Sequence, residues 1–574
     1  MLKSDFIERL LIIASSFAII FCCFVLLSPQ LQNFIIETGE RVLRLNWSRA
    51  RWMEQFHESS VIIIPLFGMI LVSSIRNIQI FLEKHRKYAE KVFVFASIVV
   101  IALSVVVRII MYVKCRALWS DEAALAESII TRNWLELLTP PLSHYQSAPV
   151  LYVTAVKSIC SILGYAEFPL RLFSLFAFTG LLVCETVFLK KIFNCNNYDT
   201  AFVVAVTALL PGYFRYSNEL KPYMGDALFA VLTILAYFYH TRGRIKLPAL
   251  AALCILFLGF SSPVIFFIGG IFAVEFITAA LNKNMKKLFS VSAAGAAVLA
   301  VFCLYYYWWM RPVSGYMETF WDNAHTAAGT IKQMLLIFKY GRNYDSSIVI
   351  LFIPFALYGL FTLCRLKNKI AYSAVCSLFL ACFASFIGKW PLVSRLWLFL
   401  PAIILIFTPA GINAIQAKIR HKQFTAALSF AFFSTVLLYL AIDCLWYTGD
   451  KMYLSRQESY QLIDYVQKNI KEREMLYVCD NAKHTLWYRI GFGATKIGNT
   501  DKDNIIFGNT TAEERGESYW ANDLSPVLEH GNVYLIFQSQ GMDSGLDTLR
   551  NHGTLTLVMK VLDTPLYYFE RADE

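Results

Sequence analysis

Apolar residues recur along this chain in long unbroken runs, many of them 18 to 24 residues, and charge collects in the short segments between them. A helix of about 20 apolar residues crosses a hydrocarbon core of roughly 30 Å. The pattern therefore predicts membrane helices near 10–28, 60–82, 92–113, 168–189, 199–213, 224–240, 247–260, 263–281, 288–309, 346–364, 370–387, 396–412 and 423–446. Strands of a membrane barrel would alternate rather than run, so a β-barrel is excluded. One further apolar piece, 148–163, carries Lys157 and follows Pro140, Pro141 and Pro149. It suits a juxtamembrane or re-entrant helix that does not cross. The fold class expected is a polytopic α-helical membrane protein of about 13 transmembrane helices.

After Trp446 the pattern changes. Helical periodicity at 455–470 precedes a strand-like run Met475–Val478. A second strand pattern, Val533–Phe537, is followed by a short helix and by strands near 554–561 and 566–570. This alternation predicts a small α/β domain. Three segments result: 1–91 with two spans, 92–446 with the remaining spans and a first polar loop at 114–167, and the C-terminal domain 447–574.

Composition agrees with this partition. The 574 residues are 57% hydrophobic and 16% charged, against about 25% charged in soluble chains. The net charge of +11 would suggest nucleic acid in a soluble protein. Here the basic residues cluster between spans: Lys84/Arg86/Lys87/Lys91, Lys190/Lys191, Arg242/Arg244/Lys246, Lys283/Lys286/Lys287, Arg365/Lys367/Lys369 and Lys418/Arg420/Lys422. Cytoplasmic loops are enriched in Lys and Arg, and all six clusters share one side if 148–163 does not cross. The N-terminus is then cytoplasmic and the C-terminal domain extracytoplasmic. Residues 447–574 hold 13 basic and 19 acidic residues, a net of −6. The positive balance belongs to the membrane part, and no nucleic-acid partner is expected. The thirteen cysteines show no CxxC and no zinc spacing, and read as small core residues.

Four polar stretches fall on the predicted outer side. Trp119-Ser120-Asp121-Glu122-Ala123 opens a helix just beyond the third span, near Arg108, Lys114 and Arg116. The plain reading is capping by Ser120 or Asp121, with acids favoured by the helix dipole. The chemical reading is acid beside base at lipid-headgroup level, as a reaction at a lipid phosphate needs. Pro140-Pro141-Leu142-Ser143-His144-Tyr145-Gln146-Ser147-Ala148-Pro149 is a fixed non-helical approach to 148–163, in which His144 is a surface histidine or a site residue. Arg215-Tyr216-Ser217-Asn218-Glu219-Leu220-Lys221-Pro222-Tyr223-Met224-Gly225-Asp226 gathers two bases and two acids between two spans. Asp226 falls inside the membrane boundary, where it is either paired internally with Arg215 or Lys221 or functional. Arg395 begins a span after a tight turn, and Arg171 does the same in Phe168-Pro169-Leu170-Arg171-Leu172. A snorkelling arginine and an anion-binding arginine are both open there.

These pieces in this order resemble the C-type glycosyltransferase superfamily (GT-C), in its protein O-mannosyltransferase and lipid A aminoarabinose-transferase branch. The likeness rests on W-x-DEA at 119–123, PPL…APVLY at 140–152, FPLRL at 168–172, YSNELKPYMGD at 216–226 and P-L-x-x-R…F-L-x-P at 391–401. It spans most of 92–574 and leaves 1–91 as an N-terminal addition. The resemblance implies a polyprenyl-phosphate-linked sugar donor and a reaction on the outer side of the membrane. It maps the catalytic acid onto Asp121, with Glu122 beside it. For donor phosphate and substrate the motifs offer Arg395, Lys221, Arg215 and Arg171; Arg116 and Arg108 beside the first stretch, and Glu219, His144 and Asp226 within the others, complete the candidate set. No cofactor is firmly implied, and a divalent metal ion is left open. The acceptor is a glycan, lipid or protein. Two departures set aside specific activities: Thr139 stands before Pro140 where the aminoarabinose-transferase branch has lysine, and Trp308-Trp309 is followed by Met310-Arg311 rather than by the oligosaccharyltransferase signature.

The function expected is an inverting sugar transfer from a polyprenyl-phosphate donor to a hydroxyl. The alternatives are a polyprenyl-linked lipid or sugar transporter, or a cell-envelope polymerase or ligase. Transporters commonly show repeats and broken helices in matching halves, whereas this chain gathers its polar groups on one side.

Overall fold

The computed structural model describes residues 75–114, 116–313, 337–338, 347–387, 390–418, 432–434, 436–437, 440–441, 459–472, 474–508, 523–537, 543–561 and 564–572. The expected spans 10–28, 60–82 and 423–446 lie wholly or largely outside these residues, as do the Arg-rich loop 30–59 and Trp321, Asp322 and His325. Among the described residues, eight helices are long and apolar enough to cross a membrane: Lys87–Val113, Glu167–Lys191, Tyr223–Thr241, Val264–Leu281, Met285–Val313, Ile348–Arg365, Lys369–Phe386 and Ser394–Lys418. The spans expected at 199–213 and 247–260 are helical but short, at Asn197–Leu209 and Leu247–Phe260. The first stops because Pro211 has no N–H to continue the ladder, and it forces Leu210 out of helical geometry.

Two compact units divide the chain. The larger comprises Met1–Ile109, Ser174–Asn218 and Pro222–Gly449. Its helices pack through small residues, the usual means of close approach in membranes. A Cβ added at Gly359 or Gly411 would strike the backbone of the facing helix. At one end of this unit Glu275 accepts from Tyr237 Oη (2.8 Å) and pairs with Lys287 (2.6 Å) and Lys369 (2.9 Å). Two of the six basic clusters therefore meet at one carboxylate.

The smaller unit comprises Ile110–Phe173, Glu219–Lys221 and Asp450–Glu574. Its helices are α1 (Ser120–Thr131), α2 (Val150–Leu163), α3 (Tyr460–Asn469), α4 (Asp480–Ile490), α5 (Ser525–His530) and α6 (Asp543–His552). The strands are β1 (Met475–Val478), β2 (Lys496–Ile497), β3 (Thr500–Asp501), β4 (Ile505–Phe507), β5 (Val533–Ile536), β6 (Gly553–Val561) and β7 (Thr564–Arg571). Five form a mixed sheet in the order β4-β1-β5-β7-β6, with β1 parallel to β4 and β5, and β7 antiparallel to β5 and β6. The short pair β2–β3 stands apart. Every residue of β1 and β5 is buried, which is why both read as continuous apolar runs, whereas β6 at the edge exposes much of its length. Leu462, Ile463 and Val466 of α3 and Leu486 of α4 complete the core with Val533, Leu535 and Phe569.

Candidate active site

The site is built on α1. Its apolar residues Ala123 to Ala126 and Ile129 are buried, and it packs against α2 and α4. Lys157, conspicuous in the sequence as a charge within an apolar helix, reaches from α2 to the end of α1. Its Nζ donates to the carbonyls of Ile129 and Arg132, both at 2.7 Å. A cation there satisfies orphan carbonyls and complements the helix dipole. At the other end the N-cap is Trp119, one residue earlier than the capping expected of Ser120 or Asp121. The Glu122 carboxylate, at the third helical position, turns back to accept the Trp119 N–H at 3.4 Å, which frees Asp121 from a capping role.

Glu122 is fully buried and is the organising group. Arg171 approaches it with two nitrogens, Nε to Oε1 at 2.9 Å and Nη2 to Oε2 at 2.8 Å. Arg116 adds a third charged contact at 3.2 Å, and the Leu220 N–H donates to Oε1 at 2.6 Å. Burial alone would raise the pKa of Glu122, but the charges of Arg116 and Arg171 and these hydrogen bonds overcome it and hold the carboxyl at about 2. Arg171 is itself fixed by the carbonyls of Arg116 (2.8 Å) and Ala117 (3.1 Å), and its own carbonyl accepts from Tyr112 Oη. Leu118 is clamped from the C-terminal segment: its N–H reaches Tyr460 Oη at 3.3 Å, and its carbonyl accepts from Thr485 Oγ1 at 3.0 Å.

Asp121 differs in every respect from its neighbour. Its side chain is 34% exposed, and its charged partner is Lys221, with Nζ 3.7 Å from Oδ2. Lys221 is only 5% exposed. Its ammonium donates to Gln146 Oε1 at 2.8 Å and lies 5.8 Å from the centre of the Trp119 ring. Arg116 also reaches Glu219 at 3.8 Å. The unit thus offers one accessible carboxylate with a nearly buried ammonium beside it, both set on a rigid, fully ionised support.

Six of the eleven residues singled out in the sequence meet here: Asp121, Glu122, Arg116, Arg171, Glu219 and Lys221. His144 belongs to the same unit but takes other partners, with Nε2 2.9 Å from Glu127 Oε2 and its ring 3.9 Å from that of His484. The other four belong to the larger unit. Arg108 is fully buried between the rings of Phe178 and Phe214, 3.7 and 3.6 Å from their centres, and donates to Ser217 Oγ and the Ser104 carbonyl. Arg215 lies over Tyr216, and Arg395 sits in the short turn Ser394–Trp397 ahead of helix Phe399–Lys418. Asp226 accepts from Ser261 Oγ at 2.7 Å. Among the described residues, the ion pair left open for Asp226 with Arg215 is not formed. Gln146, Glu127, Tyr460, Thr485 and His484 are the participants that sequence reasoning missed.

No known family profile and no curated protein sequence matches the chain. Its fold is similar to solved structures of ArnT from Cupriavidus metallidurans, in the apo state (TM-score 0.49, 12% identity) and bound to undecaprenyl phosphate (TM-score 0.47, 12% identity). Each comparison covers 82% of this chain and 97% of the other. An oligosaccharyltransferase from Archaeoglobus fulgidus, tethered to an acceptor peptide, is also similar (TM-score 0.47, 11% identity, 83% and 74% covered).

Proposed function

We propose that the chain is an inverting glycosyltransferase that moves a sugar from a polyprenyl-phosphate-linked donor to an acceptor hydroxyl, at the extracytoplasmic face of the cytoplasmic membrane. The observation that carries this reading is the Asp121–Lys221 pair, an accessible carboxylate 3.7 Å from a nearly buried ammonium. Asp121 takes the acceptor hydroxyl proton as the oxygen attacks the anomeric carbon. The bond from that carbon to the phosphate oxygen breaks, and the electron pair leaves on the polyprenyl phosphate. A cation placed where this charge develops lowers the barrier; the cations carried by the motifs, Lys221 and Arg171 in this unit with Arg116 beside them, are the candidates for that role.

Glu122 is not the base in this reading. Its oxygens are already occupied by two arginines and two backbone N–H groups, and a carboxylate with a pKa of about 2 holds a proton poorly. It positions α1 and thereby Asp121. Arg395 and Arg215 remain candidates for other parts of the donor. The convergence of Lys287 and Lys369 on Glu275 supports placing the basic clusters on one side, hence a cytoplasmic N-terminus.

The test is Asp121→Asn, assayed in membranes with a radiolabelled polyprenyl-phosphate sugar. Base removal predicts a loss of about 10²–10⁴-fold in turnover, with expression unchanged. Turnover near that of the unaltered protein overturns the mechanism. Comparing envelope glycans with and without the gene names the donor sugar and the acceptor.

A further inference from the structure

Glu127, His144 and His484 come from three separate parts of the smaller unit: the middle of α1, the turn after Pro140-Pro141, and α4. One donor atom from each lies within 4.8 Å of one from each of the others. Ligand atoms about 2.0–2.2 Å from a single ion stand at most about 4 Å apart, so a small side-chain adjustment closes this set into a coordination shell. Glu127 Oε2 and His144 Nε2 are already in contact at 2.9 Å.

His484 supplies an independent observation. Among the described residues, its Nδ1 is buried with no hydrogen-bond partner. Buried polar atoms are rarely left unsatisfied, and a bound ion is one of the few explanations for those that are. Glu127 brings the carboxylate oxygen. His144 sits in left-handed backbone geometry at φ 55°, followed by Tyr145 at φ 52°. Non-glycine residues seldom adopt that conformation, and it is concentrated at ligand clamps and functional sites.

The geometry points to a transition-metal site at Glu127, His144 and His484, of zinc type, with two imidazoles, one carboxylate and a position left for water or a ligand. Two nitrogens and one oxygen suit zinc and its first-row neighbours far better than calcium or magnesium, which take mainly oxygen ligands. The ion would cross-link segments 17 and 340 residues apart in sequence, and it would anchor α1 at Glu127, six residues after Asp121. It lies outside the reacting atoms, so the sugar-transfer reading does not depend on it.

The experiment uses the full chain in detergent, stripped with a chelator and titrated with Zn²⁺ against a chromophoric competitor, and in parallel with Co²⁺ followed by its visible absorption. One equivalent of each is expected, with a Co²⁺ spectrum of low-coordinate nitrogen and oxygen ligation. His484→Asn and His144→Asn should weaken Zn²⁺ binding at least 100-fold, and Glu127→Gln at least 10-fold. His530→Asn, an exposed control, should leave binding unchanged. If His484→Asn does not elute as a monodisperse protein, Glu127→Gln and the unaltered protein's Co²⁺ spectrum decide. Absence of a stoichiometric equivalent in the unaltered protein overturns the proposal and leaves a Glu127–His144 ion pair. Full binding by folded His484→Asn, or by Glu127→Gln, overturns it equally.

Discussion

Replacing Glu122 by glutamine separates a positioning carboxylate from a base. The substitution keeps size and one acceptor oxygen but removes the charge that Arg171 and Arg116 share. Arg171 is 4% exposed, and its two carbonyl partners supply no countercharge. Breaking a buried ion pair at one end costs about 3–5 kcal/mol. A second route to the magnitude agrees. With the pKa at about 2 in the fold and the ordinary value at 4.5, the ionised group contributes on the order of 3 kcal/mol to stability. The folded pKa is the depressed one, so this contribution is complete above about pH 4.5 and is lost as pH falls through 2. For a unit of about 190 residues, the loss converts to a melting-temperature decrease of roughly 6–20 °C at pH 7. Thermal unfolding of the purified protein in detergent, followed by tryptophan fluorescence between pH 7 and pH 3, measures it. The gap between Glu122→Gln and the unaltered protein should narrow as the pH falls. A difference within 2 °C at pH 7, or a gap that widens in acid, refutes the assignment of Glu122 as the ionised support.

Asp121→Asn should behave in the opposite way, with transfer lost by about 10²–10⁴-fold and the melting temperature lowered far less than in Glu122→Gln, since Asp121 is partly exposed and Lys221 keeps its hydrogen bond to Gln146. Lys157→Met leaves the Ile129 and Arg132 carbonyls without their cation and should cost about 1.5–3 kcal/mol, read as a lower melting temperature; unchanged melting would show that water replaces the ammonium. Gly411→Val drives a side chain into the Phe355 carbonyl of the neighbouring helix, and should cost about 1–3 kcal/mol or more. Gly180→Ala, whose added Cβ would meet only the Leu228 side-chain tip, should be tolerated, and the two are compared by yield of monodisperse protein.

The membrane helices were legible because burial in lipid and protein demands uninterrupted apolar runs, and those runs are local in sequence. The same holds for β1 and β5, apolar at every position because both faces of each are covered. Adjacent acids are harder. Asp121 and Glu122 look equivalent in sequence, yet about 100° of helical rotation turns one toward solvent and the other toward two arginines. Nothing near residue 122 signals Arg171 or the Leu220 N–H, because contacts 49 and 98 residues apart leave no periodic trace. Lys157 did mark itself as a charge in an apolar helix, but its partners at the end of α1 follow only from the packing. His484 had no signal at all: a single histidine in a polar segment is ordinary until folding sets it beside His144.

The smaller unit is stitched from three stretches of chain, and that has a consequence for biosynthesis. Glu122 cannot be fully clamped until residue 220 has been made, and Leu118 receives its last partner only with Thr485. At about 5–20 residues per second, the first loop is made roughly 18–75 s before that partner arrives. In that interval its buried charges must be shielded by water, lipid or an assembly factor, so a nascent chain stalled before residue 450 would present a half-built unit as a substrate for membrane proteolysis.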